Sequence, residues 1–319
     1  MLKQEGCGTS YSPKQMEYLL IIFFLGVLTP IQTAANSRLR LSVSSPLVAS
    51  WVQFVIGSVF LAVATLIERG NLFFSTSLFR DLPLWAWLGG LCGVYALTVN
   101  IIIFPKLGSM QTVLMPMLGQ ISMGLLIDHF GMLRSQVHTF GLLRAMSLVI
   151  IFTGLIMVVL RRGEKNTSKQ GILLWQIVGF SGGAIYAMQP PMNGLLAGSL
   201  SSSVYAALIT FLTATFLLTI TVLITRSNRI HLPQIFSLSC PWWAWLGGII
   251  GGTFVTGFAF FADKVSIGVL LVTSICGMLT ISLFIDKNGW LGAAKRKIGI
   301  RQYAGLIFIA AGVALLRLN

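Results

Sequence analysis

Charge is what this sequence has least of. Only 9% of its 319 residues are Asp, Glu, Lys or Arg, and the acids number eight: Glu5, Glu17, Glu68, Asp81, Asp128, Glu164, Asp263 and Asp286. None falls near the middle of an apolar run. A carrier that exchanges protons for lipophilic cations on a mid-membrane acid needs one there, so that mechanism is disfavoured. The three histidines form no His/Asp/Glu cluster and no Ser/His pair, and no Gly-rich phosphate loop is present. These absences speak against an enzyme. With no nucleotide-binding motif either, any pumping has to draw on an ion or solute gradient. Four cysteines, Cys7, Cys92, Cys240 and Cys276, are scattered without a CxxC pair; neither a disulfide nor a metal site is expected, and no cofactor.

What fills the chain instead is hydrocarbon. Fifty-five per cent of the residues are hydrophobic, and they come in long uninterrupted runs, not in amphipathic stripes. The expected class is an all-α polytopic membrane protein with almost no soluble domain, because helices satisfy their own backbone groups in lipid and the runs are too long and uniform for barrel strands. A net charge of +14 would suggest nucleic acid in a soluble chain. Here the Lys and Arg sit in loops and at span ends, so the bilayer is the partner that explains them and nucleic acid is not expected.

The longest internal pattern is a repeat. Trp85 to Leu133 returns, without a gap, as Trp243 to Leu291, and the copies agree at 15 of 49 positions, including WAWLGG, Gly93 with Gly251, Lys106 with Lys264, Asp128 with Asp286, and Gly131 with Gly289. Each copy holds two apolar runs of spanning length. Read in order, residues 1–17 form a polar N-terminal tail without the apolar core of a cleaved signal peptide. Spans follow at about Tyr18 to Arg38, Pro46 to Ile67, Leu82 to Phe104, Ser109 to Asp128 and Thr139 to Leu160, making a first five-helix repeat over 18–160. The charged segment Arg161 to Gly171 reads as a linker. A second five-helix repeat over 172–319 has spans at about Trp175 to Leu196, Val204 to Ile224, Trp242 to Phe261, Gly268 to Ile285 and Arg301 to Leu316. An odd number of spans per half turns the second half upside down, so the ten helices form two inverted repeats.

The first span of each half carries the most informative small motif. Gln32-Thr-Ala-Ala-Asn36 matches Gln189-Pro-Pro-Met-Asn193, and each is followed by serines, Ser44-Ser45 and Ser201-Ser202. Gln at i and Asn at i+4 share one helical face, and a count of residues places each Gln ~20 Å into its span. Inverted halves would bring the two pairs to the midplane from opposite sides, ready to donate to and accept from a polar solute. Gly26, Thr29 and Pro30 in the first half, and Gly179, Gly182, Gly183, Pro190 and Pro191 in the second, read as helix breakers beside those amides. Interrupted helices at matching places point to a transport site; interhelical glue is the competing reading. Pro30, Pro190 and Pro191 are then flexing points. Asp128 and Asp286, which end the fourth span of each half, serve either to set helix depth or as gating or coupling groups. The repeated Trp residues suit the interfacial belt, and the glycines after them suit close helix packing. Lys and Arg of the first half favour an inside N-terminus, while those of the second half favour the opposite more strongly.

A ten-span, two-half inverted repeat resembles the drug/metabolite transporter superfamily. More narrowly, the QxxxN of the first span, the Ser-rich turn after it and the LLIDHFG ending of the fourth resemble the YdcZ-like five-span bacterial proteins, here fused in tandem. The resemblance implies a multi-pass protein of the bacterial plasma (inner) membrane, with a central cavity between halves, alternating access and termini inside. The second half departs from it where IDKNG replaces IDHFG and Met278 stands at the position of Gln120. The function expected is a secondary transporter, of the exporting kind, for a small polar or amphipathic metabolite or drug, with Gln32, Asn36, Gln189 and Asn193 as substrate contacts. A passive channel built from inverted halves is the alternative. A small-molecule substrate and the bilayer are the expected partners, and a homodimer is compatible with the sequence.

Overall fold

Two spacings, ~20 apolar residues per run and a polar or Gly/Pro/Ser break between runs, dictate a bundle of membrane-length helices. The computed structural model describes residues 13–43, 45–73, 78–138, 141–159, 172–225, 241–292 and 298–317, and every element in them is helical. The linker expected at 161–171 and the first twelve residues of the N-terminal tail lie outside the described residues. Residues 13–17 of that tail already belong to the first helix. In the first repeat, α1 covers Pro13–Val43, α2 Pro46–Arg69, the single turn α3 Leu78–Asp81, α4 Gly89–Phe130 and α5 Leu142–Val159. In the second, α6 covers Ile172–Tyr186, α7 Gln189–Leu200, α8 Ser203–Ile224, α9 Gly247–Phe261, α10 Ile267–Asn288 and α11 Ile300–Arg317. Seven stretches of the described residues are long and apolar enough to cross a membrane, and three shorter apolar helices complete ten.

Helix α4 spans 42 residues and stands where two spans were expected. A straight rod of that length would run about 63 Å at 1.5 Å per residue, twice the hydrocarbon core. It is not straight. Val99 lies against Gly182 and Ile103 against Gly179, yet Met115 also lies against Gly179 and Pro116 against Gly183. In a straight helix Val99 and Pro116 would be about 25 Å apart, so the axis doubles back between residues 103 and 115. The two expected spans are both there, flanking α6.

Small local signals set the helix ends. Ser45 and Ser202, the same position in the two repeats, are N-caps of α2 and α8, accepting from the backbone N–H of Val48 at 3.5 Å and of Tyr205 at 3.0 Å. This is the reason for the repeated Ser-rich turn. Gly131 and Gly289 end α4 and α10 at φ +60° and +71°, the left-handed conformation that a residue without Cβ adopts at no steric cost. The glycine that closes both IDHFG and IDKNG is thus a helix stop.

The halves are interlocked. Helix α1 packs on α9 and α10 of the second repeat, while α6 and α7 pack on α4 of the first; α2 lies along α8, and α5 along α11. Close approach needs glycine at equivalent places: a Cβ on Gly26 would overlap the Ser274 backbone, and its counterpart on Gly183 would overlap Pro116. Gly277 against Phe23 and Gly119 against Phe180 repeat the pattern. The apolar core runs through these interfaces, for instance Ile121, Leu125, Ile151 and Leu155 with Val272 and Ile275. Outside it, large apolar side chains stay exposed along helix faces, among them Val59, Val63 and Ile67 on α2 and Leu142, Met146 and Val149 on α5, as a lipid-facing surface requires and a water-facing one does not tolerate.

Candidate functional site

Helix α2 and helix α8 run antiparallel, joined by Trp51 Nε1 donating to Thr219 Oγ1 at 2.8 Å and by Ser58 and Thr215, whose hydroxyls lie 3.1 Å apart. Both residues of the second pair sit near mid-helix. The amide-bearing first spans are arranged about this seam, each against the glycine face of the opposite repeat.

In the second half, Gln189 and Asn193 are buried, at 6% and 1% exposure. Asn193 lies against Gly89 and its Oδ1 accepts from Thr210 Oγ1 at 2.7 Å. Gln189 lies against Gly93, one turn further along. The WAWLGG glycines are the floor on which the pair rests, since any side chain at Gly89 would meet the Asn193 amide. The first half mirrors this. Gln32 lies against Gly251, the counterpart of Gly93, and Gln53 of α2 lies against Gly247, the counterpart of Gly89. Gln32 and Asn36 are half-buried. Among the described residues, no hydrogen bond joins one half's amide pair to the other's.

Gln53 is the polar residue that the sequence reading passed over. It is 3% exposed, and its Nε2 donates to the Ala244 carbonyl at 2.8 Å. A carbonyl can only accept, so the amide orientation is fixed and Oε1 is a true acceptor. Among the described residues that oxygen is buried without a partner, as is Oδ1 of Asn36. On the other side Asn193 Nδ2 is buried without a partner among them. Buried amide atoms of this kind cost free energy until something bonds to them. The signal that could have found Gln53 is its register: it occupies in α2 the place that Thr210 occupies in α8. Both lie five residues from the Ser58–Thr215 contact, or about 7.5 Å along the helix, on opposite sides of it.

The helix breaks differ from expectation. Helix α1 continues through Pro30, whereas the second first-span is interrupted at Ala187 and Met188, between α6 and α7. Pro190 and Pro191 then fall in the first turn of α7, where a missing N–H costs nothing. The pair of interruptions expected at matching places is therefore a single one. Gly26, Gly179, Gly182 and Gly183 are not breakers. They sit inside helices and admit neighbouring helices.

Of the two aspartates, Asp128 is engaged across the interface. Asp128 is 1% exposed, and its two carboxylate oxygens accept from the backbone N–H groups of Ile267 at 2.7 Å and Gly268 at 2.8 Å. It caps α10 across the interface, opposite the positive end of that helix's dipole. Its counterpart Asp286 is half-buried. Among the described residues no group of three or more His, Cys, Asp or Glu could hold a metal ion.

The family model described as "Putative inner membrane exporter, YdcZ" matches this chain twice, over residues 17–157 and again over 174–315. None of the curated proteins matches. A crystal structure described only as that of a protein superposes with a TM-score of 0.67 over 97% of this chain and 98% of that one, at 11% identity; at that identity the likeness is one of fold alone.

Proposed function

Because the chain belongs, in two tandem copies, to the YdcZ family of the drug/metabolite transporter superfamily, we propose that it is a secondary transporter that exports a small polar or amphipathic solute across the bacterial inner membrane by alternating access. The observation that carries the reading is the pair of amide layers either side of the α2–α8 contact. Each layer sits between the halves, and each presents a buried amide atom without a partner: Asn36 Oδ1 and Gln53 Oε1 in one, Asn193 Nδ2 in the other. A solute with both donors and acceptors would satisfy them as the halves rock around it.

Gln32, Asn36, Gln189 and Asn193 are the proposed substrate contacts, with Gln53 and Thr210 beside them. Interruption of the helix at Ala187–Met188 gives the second half a flexing point next to its amides, with Pro190 and Pro191 at its edge. Pro30 lies in an unbroken helix and is a weaker hinge. Asp128 acts in this scheme through position, holding the start of α10 against the end of α4.

The test is in two steps. Purified protein is screened for thermal stabilisation by a metabolite and drug library, and each stabilising compound is followed in proteoliposomes. Saturable flux that is lost in Asn36→Ala and Asn193→Ala, with folded and correctly inserted protein, supports the assignment. Unchanged flux in both variants rejects the site, and flux that neither saturates nor follows a second gradient supports a channel.

A further inference from the structure

The two copies of the amide motif continue differently toward their ends of the bundle. Beyond Gln32 the first copy carries Thr33, Asn36, Ser37 and Arg40; beyond Gln189 the second carries Pro190, Asn193, Gly194 and Ala197 at the same places. Thr33, Ser37 and Arg40 are exposed and Asn36 is half-buried, whereas all four residues of the second copy are buried. Helix α7 is covered because it packs on α9 of its own repeat. Gly194 comes so close there that a Cβ on it would lie 2.7 Å from the Cβ of Ala262.

At 3.6 residues per turn, Thr33, Asn36, Ser37 and Arg40 fall within an arc of about 100° on α1. Leu20 and Phe24, exposed on earlier turns of the same helix, lie about 140° round from Thr33 and Ser37. The apolar pair is the face for lipid. The polar stripe is a second exposed face, and carboxamides turned to hydrocarbon would lose their hydrogen bonds. From Gln32 in the amide layer it rises ~12 Å to Arg40. No Asp or Glu occurs in the sequence between Glu17 and Glu68, so that stretch of α1 and α2 supplies Arg40 with no counter-ion.

We infer that this stripe walls a water-filled vestibule leading to the amide site, that the α7–α9 contact shuts the opposite approach, and that Arg40 recruits a solute carrying an anionic group. The inference rests on the transporter reading for its solute, and it adds the way in and the chemical class. A cation at the mouth of a recess with low-dielectric walls raises the local concentration of anions. Arg40 stands one turn, ~6 Å, beyond Asn36, so a carboxylate or phosphate can stay beside the guanidinium while a neutral polar part of the same small molecule reaches the amides.

Thiol labelling tests this without any solute. In a background with Cys7, Cys92, Cys240 and Cys276 replaced by serine or alanine, Thr33→Cys and Ser37→Cys are expected to react with membrane-impermeant methanethiosulfonates added from one side of the membrane. Pro190→Cys and Ala197→Cys are expected to react from neither side until the protein is denatured. At Ser37→Cys a sulfonate-bearing reagent is expected to outpace a trimethylammonium-bearing one, each rate being taken relative to that with a free thiol. A unit charge ~6 Å away in water changes the local concentration of an ion about threefold, so Arg40→Gln is expected to lower the ratio by up to about tenfold at low salt. Arg40→Lys is expected to keep it. Arg38→Gln, about 160° round the helix from Arg40, is expected to lower it less. If Arg40→Gln does not insert, the ratio in the Arg40 parent is followed as salt is added, and is expected to fall as the charge is screened. An unreactive Ser37→Cys would place the stripe against lipid. Pro190→Cys reacting as fast as Thr33→Cys would leave neither approach shut. A ratio indifferent to Arg40→Gln or to salt, or lowered equally by Arg38→Gln, would remove the anion; each of these results overturns the inference. The expected labelling without saturable flux of any solute would remove the exporter reading and leave the vestibule. Saturable flux confined to solutes without an acidic group would remove the role of Arg40 and leave the exporter reading.

Discussion

Ser58 and Thr215 occupy the same position in the two repeats, and their hydroxyls lie 3.1 Å apart. Two equivalent residues can touch only where the local symmetry axis passes between them. Since α2 and α8 are antiparallel membrane-length helices, that axis is perpendicular to them and lies in the plane of the membrane. The inversion inferred from an odd span count is therefore visible as a single hydrogen bond.

Glycines at equivalent helix crossings should fail together. Gly26→Val and Gly183→Val each place a side chain into the backbone of the opposite repeat, at Ser274 and Pro116, and overpacking of that kind costs about 1–3 kcal/mol or more. Both variants are expected to lower the melting temperature in detergent by similar amounts. Gly198→Ala, where nothing lies within 4 Å, is the control and should be neutral or slightly stabilising.

The Asp128 cap should carry stability. Asp128→Ala removes both acceptors from the start of α10 and leaves two buried N–H groups without partners, a loss of about 1–3 kcal/mol per group. Asp128→Asn keeps one oxygen that can accept and is expected to cost less. Denaturation of the two variants in parallel checks this; equal losses would refute the cap as the reason that Asp128 is buried.

The serine caps should be separately measurable. Ser45→Ala and Ser202→Ala should each lose a helix cap, at about 0.5–2 kcal/mol. Ser202→Ala also loses a contact to Glu68, to which the same hydroxyl donates. A smaller drop in melting temperature for Ser202→Ala in a Glu68→Ala background than in the parent would measure that extra contact; equal drops would show that it contributes nothing.

Gln53 should matter to transport more than its apolar surroundings suggest. Gln53→Leu removes the acceptor that faces the amide layer, and a single lost hydrogen bond of about 0.5–1.5 kcal/mol corresponds to roughly two- to tenfold in affinity. The expected outcome is a rise in the half-saturating concentration of any transported solute, with insertion unchanged. A variant that transports as the parent does would place Gln53 outside the path.

What the sequence disclosed was whatever is local or repeated. Ten apolar runs, the inverted halves, the Ser45/Ser202 turn and the closing Gly131/Gly289 could be read because each depends on neighbours along the chain. What escaped depends on partners far away in it. Gln53 finds the Ala244 carbonyl 191 residues on, and Gly26 finds Ser274; nothing local distinguishes a glycine that admits a helix from one that breaks its own. The cap that Asp128 makes was equally hidden, since its partners Ile267 and Gly268 lie 139 and 140 residues on. Pro30 and Pro190 show the limit of residue type: one rides inside a helix and the other begins one.

The exchange of first spans between repeats bears on how the chain is made. While the first five helices are leaving the translocon, the glycine faces that receive Gln32 and Gln53, at Gly251 and Gly247, have not yet been synthesised. Those amides must spend that interval paired with water, with each other or with the insertion machinery. A newly made first half is thus an incomplete article of assembly, not a small domain waiting for company. Two separate single-repeat chains could reach this fold only by trading their leading helices, and joining them in one gene fixes the trading partner and the ratio at one to one.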